Sequence, residues 1–344
     1  QILYMKIALD IMSGDKAPNC NINGAIKFIN NPKSKDTHVV LYGTEQIFKN
    51  NSKIIKKHTD RISYVITKDI INMDDKPSYA FKNKRNSSLI KIIDDLKTNV
   101  VSGAISSGNT GALLASSLLI LGKIEGIRRP ALAPYIPIKG SGFILCDAGA
   151  NSTVKPEHLY QFAIMCSAYL EHQGFNKKPR IALLNIGAEA NKGNELTIES
   201  YKILDKKLPN FIGNIESREL FDNKADIILC DGFTGNITLK LIEGLIKKMI
   251  NHTIKSADSH PISKMAKPIL FQMFDDIKKA YDYEEHGGTL LLGVNGVVMK
   301  CHGSSNDKAI ENALLKTQKS IDTNLIPDIK DMVKNETEKN VVNG

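Results

Sequence analysis

Asparagine, glycine, aspartate, lysine and histidine recur in this chain where short apolar runs end, a pattern that could hold a small anion against a carbonyl group. Ser106-Ser107-Gly108-Asn109-Thr110-Gly111 follows the run ending at Ile105 and opens the apolar stretch Ala112 to Leu121. Glycines at such a turn let backbone N–H groups face an anion, and Asn109 and Thr110 add side-chain donors. The same string equally suits a tight strand-to-helix turn capped by Asn109 or Thr110. A second cluster, Asp147-Ala148-Gly149-Ala150-Asn151 with Lys155-Pro156-Glu157-His158, puts a carboxylate, an amide, a cation and an imidazole between two apolar segments. So many unlike polar groups favour a site over a plain capped turn.

The arrangement recurs in Asn185-Ile186-Gly187-Ala188-Glu189 with Lys192-Gly193-Asn194-Glu195, and again in Asp231-Gly232-Phe233-Thr234-Gly235-Asn236. Gly293-Val294-Asn295-Gly296 and His302-Gly303-Ser304-Ser305 come late in the chain. Each string alone is weak. Together they place convergent donors where one small anion and one carbonyl oxygen could sit.

Positioning these groups requires a scaffold, and the apolar runs supply one. Lys6 to Leu9, Val39 to Tyr42, Ile62 to Ile66, Val100 to Ile105, Phe143 to Cys146, Ile181 to Asn185 and Ile227 to Cys230 read as strands alternating with helical patterns. That alternation predicts an α/β fold with a mainly parallel sheet and helices on both faces, in which ligands bind at the carboxyl ends of strands. Helices are expected over Asn109 to Leu121, Pro156 to His172 and Asn236 to Lys255. With no Pro/Ser/Gly-rich linker and no internal repeat, the expectation is one domain over 5–327, carrying a helix-pair embellishment at about 237–281. Residues 328–344 read as a polar tail, and residues 1–4 as an extension ahead of a natural start at Met5.

Composition narrows the classes further. No apolar run reaches the roughly 18–20 residues of a membrane span. The five cysteines show no Cys-x-x-Cys pair or metal-ligand spacing with histidine, so reduced thiols are expected, with neither a metal nor a disulfide framework. The formal charge of +9 comes mostly from lysine in a chain also rich in Asn and Ile, a compositional bias rather than a designed patch. It remains compatible with an acidic carrier protein or an anionic membrane surface, and no aromatic-interleaved basic patch points to nucleic acid.

The order of several longer strings is more specific. Gly14-Asp15-Lys16-Ala17-Pro18, Ser107 to Gly111, Gly149-Ala150-Asn151 through His158-Leu159, and Asn185-Ile186-Gly187 through Lys192-Gly193-Asn194-Glu195-Leu196 are followed by Phe211-Ile212-Gly213-Asn214-Ile215-Glu216 and Asp231-Gly232-Phe233. Tyr283-Glu284-Glu285 with Gly287-Gly288, and His302 to Ser305, complete the series. The chain thereby resembles the PlsX phosphate acyltransferase family over roughly 5–320. It departs from the family pattern at Ser13, where Gly is usual, at Ser152-Thr153, where an acidic residue is usual, and at Ala188, where Glu is usual.

The resemblance implies a three-layer α/β/α, Rossmann-like fold like that of isopropylmalate dehydrogenases and phosphate acetyltransferases, and a homodimer. It implies reversible transfer of a fatty acyl group from acyl carrier protein to inorganic phosphate, giving acyl phosphate for phospholipid assembly, with no cofactor. The expected catalytic groups are Asn109, Lys155, His158, Asn185, Asp231 and Asn236. Asp10, Gly14, Asp15, Ser107, Gly108, Thr110 and Gly111 are expected around the substrates, as are Asp147, Asn151, Gly187, Lys192, Gly232, Asn295 and His302.

Phosphate is already anionic near neutral pH, so positioning and electrostatic preorganisation should carry the acceleration without a strong base. Gly108, Asn109 and Thr110 with Lys155 and His158 are assigned to phosphate or carbonyl binding, and Asn151, Asn185 and Asn236 to oxyanion donation. Asp10, Asp147 and Asp231 would orient them, and Lys192 and Lys240 are further candidates for an anion site or for solvated lysines. On that assignment Asn109→Ala costs activity and leaves stability nearly unchanged. Covalent transfer through Cys146 or Cys230 is disfavoured, because neither is flanked by an evident base.

A nicotinamide-linked dehydrogenase is the competing enzyme class, but no Gly-x-Gly-x-x-Gly follows the first strand. A non-catalytic scaffold is the third reading. The protein is expected in the cytoplasm, with peripheral membrane association. An apolar stripe at Ile237, Leu241, Leu245 and Met249 suits packing or a dimer interface. A second stripe through Ile262, Met265, Ile269, Leu270, Met273, Phe274 and Ile277, flanked by lysines, suits an anionic membrane surface.

Overall fold

A computed structural model of the chain describes residues 4–34, 36–138, 140–258 and 287–342. All seven strands expected from the apolar runs form: β1 (Lys6–Asp10), β2 (His38–Thr44), β3 (Ile62–Thr67), β4 (Gly103–Ser106), then, after β5 (Ala131–Ala133) and β6 (Tyr135–Ile138), β7 (Ser141–Cys146) and β8 (Ile181–Asn185). β9 (Phe211–Glu216), β10 (Ile227–Leu229), β11 (Thr289–Leu292) and β12 (Val297–Lys300) complete the set. β4, β8 and β10 are buried at every position, as continuous apolar runs in a sheet covered on both faces should be. The fold is α/β with mainly parallel strands and flanking helices.

The chain divides into two compact units, one comprising Gln1–Ala133, Gln161–Pro179 and Glu284–Gly344, the other Pro134–Tyr160 and Arg180–Tyr283. The crossing points carry no linker composition, so nothing in the sequence marks the division.

The first unit holds a seven-stranded sheet in the order β3-β2-β1-β4-β12-β11-β5. β1, β2, β3, β4 and β12 run parallel, while β11 is antiparallel to both β12 and β5. The helix Asn19–Asn30 packs against the helix Asp307–Asp322, and Lys27 bridges to Asp307 at 2.7 Å. Side-chain oxygens of Ser87 and Asn306 cap the helices Ser88–Lys97 and Asp307–Asp322 by accepting from Ile90 N and Ala309 N, satisfying donors that the first turn leaves open.

The second unit holds a five-stranded sheet, β6-β7-β10-β8-β9, parallel except for the β6–β7 hairpin. Phe143, Leu145, Ala182, Ile215 and Ile228 form its core, with Leu239 and Ile242 of the long helix Gly232–Asp258 packed on it. That helix includes the expected span Asn236 to Lys255 and begins four residues earlier. The expected helix Asn109 to Leu121 is α-helical over Thr110–Ser116 and widens to a π turn over Ser117–Leu121, and Pro156–His172 forms as read. The second apolar stripe, with Met273 and Phe274, and the string Tyr283-Glu284-Glu285 lie outside the described residues. Among the described residues no helix is long and apolar enough to cross a membrane.

Candidate functional site

Each unit gathers its polar strings at the carboxyl ends of its parallel strands. In the first unit, Asp10 ends β1 and is fully buried, and its carboxylate accepts from Ser13 Oγ at 2.5 Å, Ser106 Oγ at 2.7 Å and Met12 N at 3.0 Å. Ser106 ends β4, and its Oγ also accepts from Gly108 N at 3.0 Å, which draws the Ser107-Gly108 turn back over the strand end. Gly14 has φ +107°, a left-handed conformation that an L side chain resists, and this lets Asp15 N donate to Gly303 O at 2.7 Å. The turns after β1 and β12 are thus tied together, and Ser107 is buried beside them.

Asn109 is the N-cap of the helix Thr110–Ser116, its Oδ1 accepting from Ala112 N at 2.9 Å. Its Nδ2 donates to Met73 O and Asp75 O, both at 2.9 Å, and to Asn72 O at 3.3 Å. Both ends of the amide are therefore engaged inside the protein, and the geometry makes Asn109 a clamp between the turn and the 72–75 loop. Thr110 and Gly111 form the first turn of that helix, with Gly111 against Pro77. His302 is exposed, and its Nδ1 accepts from Ser304 N at 3.1 Å with Ser304 Oγ 2.7 Å away. Asn295 is not brought to this cluster: it lies in the turn before β12, at the opposite end of that strand from Lys300, and donates to Lys123 O at 2.7 Å.

In the second unit, Asp147 follows β7 fully buried and organises the turn after it, accepting from Ala150 N at 3.1 Å, Asn151 N at 2.7 Å and Asn151 Nδ2 at 2.9 Å. Backbone bonds then stitch this turn to the one after β10, with Gly232 N donating to Asn151 O at 2.8 Å and Asp147 N to Cys230 O at 2.9 Å. The approach is close enough to demand glycine at position 235, where a Cβ would stand 2.0 Å from Asp147 O. Asp231 accepts from Phe233 N at 3.0 Å, Thr234 N at 2.9 Å and Thr234 Oγ1 at 2.7 Å, fixing the start of the long helix.

That helix presents Asn236 beside Gly149, and the Asn236 amide makes no hydrogen bond among the described residues. His158 is buried and takes the Lys155 N–H on Nδ1 at 3.1 Å. The Lys155 side chain is exposed. Asn185 spends its amide on the following loop, donating to Lys192 O at 3.0 Å and accepting from Ile186 N at 2.8 Å, with Gly187 buried and Lys192 exposed.

The structure therefore gathers Asp10, Gly14, Asp15, Ser107, Gly108, Asn109 and His302 in one unit, and Asp147, Asn151, His158, Asp231, Gly232 and Asn236 in the other. The site residues expected from sequence did not include Ser13, Ser106 or Lys300. Ser106 opens the glycine-rich string that runs to Gly111 and Ser13 marks a departure from the family pattern, whereas the signal for Lys300 is that it ends an apolar run, the position where ligands meet parallel sheets. Among the described residues no group of His, Cys, Asp and Glu could hold a metal ion, and the five cysteines are buried and unbridged.

Comparison with known proteins bears on the fold and on the family. Structures of the EutD phosphotransacetylase from Staphylococcus aureus (13% identity, TM-score 0.59, covering 92% of this chain and 94% of that one) and of a branched-chain phosphotransacylase from Enterococcus faecalis V583 (12%, 0.59, 92% and 99%) share the fold. The family model described as fatty acid synthesis protein matches residues 5–327. Proteins named phosphate acyltransferase from Bacillus anthracis and Bacillus thuringiensis are each 39% identical over 333 residues, covering 96% of this chain and 99% of theirs. An identity of that depth, sustained from end to end, makes the chain an acyltransferase that belongs to the PlsX phosphate acyltransferase family.

Proposed function

We propose that this enzyme transfers a fatty acyl group reversibly from the thioester of acyl carrier protein to inorganic phosphate, and that the acyl phosphate formed supplies phospholipid synthesis. The observation that carries the reading is the joint match to a fatty acid synthesis family and to relatives named for phosphate as acyl acceptor. A fatty acyl chain under synthesis is held as a thioester, so the reaction exchanges a C–S bond for a C–O bond to phosphate.

The oxyanion formed when phosphate adds to the carbonyl needs fixed donors, and preorganised donors are worth most where water is excluded. Asn236 is the donor we favour, since its amide is not committed elsewhere among the described residues, whereas Asn185 is spent on its own loop. Asn151 and Asp147 hold the turn against which Asn236 lies. Lys155 supplies positive charge for phosphate, its backbone N–H held by His158 Nδ1 at 3.1 Å. Asn109 serves by holding the Ser107-Gly108 turn in place.

The enzyme is proposed to act as a homodimer in the cytoplasm, with peripheral contact to an anionic membrane. Support for the dimer comes from the long helix, where Phe233, Ile237, Leu241, Leu245 and Met249 recur at four-residue spacing and are each at least half exposed. Incubation with acyl carrier protein thioester and labelled phosphate tests the reading. Phosphate-dependent release of carrier thiol with one labelled acyl phosphate per thiol is expected; thiol release without labelled product would mean hydrolysis and overturn it.

A further inference from the structure

β1, β4 and β12 are adjacent and parallel, and their last residues fall in one row across the sheet. Leu9 pairs with Ile105, which sets Asp10 beside Ser106, and Ser106 pairs with Lys300. Residues in one row of a parallel sheet point to the same face, as the 2.7 Å bond from Ser106 Oγ to Asp10 confirms for the first two. An aspartate, a serine and a lysine therefore leave the same row at the carboxyl end of the sheet.

The carboxylate accepts from Ser13, Ser106 and Met12 N, and Lys300 has no ion pair among the described residues. Its ammonium donates to the Cys301 carbonyl and keeps a small opening to solvent within otherwise dense surroundings. A cation so placed is costly unless it is used.

We propose that Lys300 is a catalytic residue of the acyl transfer, relaying a proton from the phosphate hydroxyl to the departing sulfur. The assignment rests on the acyl-transfer reading given above. In the step, one oxygen of monohydrogen phosphate forms the new C–O bond, and the C–S bond breaks with its electron pair leaving on sulfur. Lys300 gives that sulfur a proton, and the resulting amine takes up the proton that the phosphate hydroxyl loses. The products are acyl phosphate and a neutral thiol, with charge and protons conserved.

Burial pulls the Lys300 ammonium down to about 8, against the opposing pull of Cys301, Asp10 and Asp15, close to the range of an ordinary thiol. The other titratable groups nearby are the Cys301 thiol, pushed up to about 12 by burial, and Lys316 and Cys20, which face Cys301. Proton transfer is most effective when the catalytic group titrates near the working pH and near its partner.

The test compares wild type with Lys300→Ala and Lys300→Arg, using an acyl thioester and inorganic phosphate. Lys300→Ala is expected to lower kcat more than 100-fold with KM for the thioester within threefold, and added methylamine is expected to restore part of the rate. Lys300→Arg, which stays protonated, is expected to lose the alkaline limb that the wild type shows near its lysine. A folded Lys300→Ala with kcat within threefold of wild type overturns the proposal. So does a Lys300→Arg that keeps both full rate and the wild-type pH profile, which would make Lys300 a fixed charge or a prop for the Cys301 carbonyl. If Lys300→Ala fails to fold, the pH profile of Lys300→Arg decides alone. A wild type that makes no acyl phosphate would instead refute the acyl-transfer reading.

Discussion

Replacing Asn109 with alanine removes two supports at once, and their sizes follow from the contacts. Loss of the cap on the helix Thr110–Ser116 costs about 1 kcal/mol. Loss of the two 2.9 Å bonds to Met73 O and Asp75 O costs about 1 kcal/mol each, because Asn109 is buried. A total of about 3 kcal/mol corresponds to a fall in Tm of roughly 6–12 °C for a body of this size. Activity falls as well, since the turn it holds lies over Ser106. Asn109→Ser keeps a capping oxygen and loses only the Nδ2 donors, so about two thirds of the destabilisation should remain. Circular dichroism melts alongside phosphate-dependent thiol release provide the measurement. A Tm within 2 °C of wild type combined with a tenfold or greater loss of rate would show that the amide contacts substrate, as the sequence alone suggests, and would refute the clamp.

Lys155→Ala should raise KM for phosphate several-fold and leave KM for the acyl thioester nearly unchanged; unaltered phosphate dependence in initial-rate assays would remove Lys155 from the site. Lys316, pulled down to about 8 by burial, is charged in both folded and unfolded states below that pH, where the cost of burying it is fully present. Between about 8 and the ordinary lysine value near 10.4 the unfolded chain binds the extra proton, so this residue makes stability rise with pH; Lys316→Met should flatten that rise in urea midpoints, and an unchanged slope would exclude it as a source. Met273→Asp with Phe274→Asp, placed in the stripe outside the described residues, should move protein from anionic vesicles into solution in a flotation assay while acyl phosphate synthesis persists. Loss of folding or of the dimer would show that stripe to be interior.

The long apolar runs were legible because buried parallel strands have little choice of side chain, and β1, β2, β3, β4, β7, β8 and β10 all begin or end within a few residues of where they read. β5, β6, β11 and β12 were not. β5 has three residues and β6 carries Pro137, so neither offers a period, and β11 and β12 are four-residue runs beside glycine turns. The polar strings announced themselves through glycine and asparagine, yet their partners are remote in sequence: the carbonyls that take up Asn109 come from residues 72–75. Lys300 resembles any surface lysine until β12 is seen next to β4, and Asn295 looks like a site residue until it is seen at the other end of the same strand.

The position of β11 and β12 also dictates an order of assembly. They are residues 289–300, yet they fill the gap in the sheet between β4, finished by residue 106, and β5, finished by residue 133. During synthesis β4 and β5 are therefore made long before the strands that join them, and until then each offers an unpaired edge able to pair with another chain. The strands of the second sheet, all encoded between residues 135 and 229, have no such wait. The five-stranded sheet can close first on the ribosome, and the seven-stranded one only once residues 289–300 emerge, with distant pairings that form slowly. A nascent chain halted before Val297 would thus hold one finished sheet and one sticky, half-built one, marking the wait for β12 as its period of greatest exposure to aggregation and to chaperones.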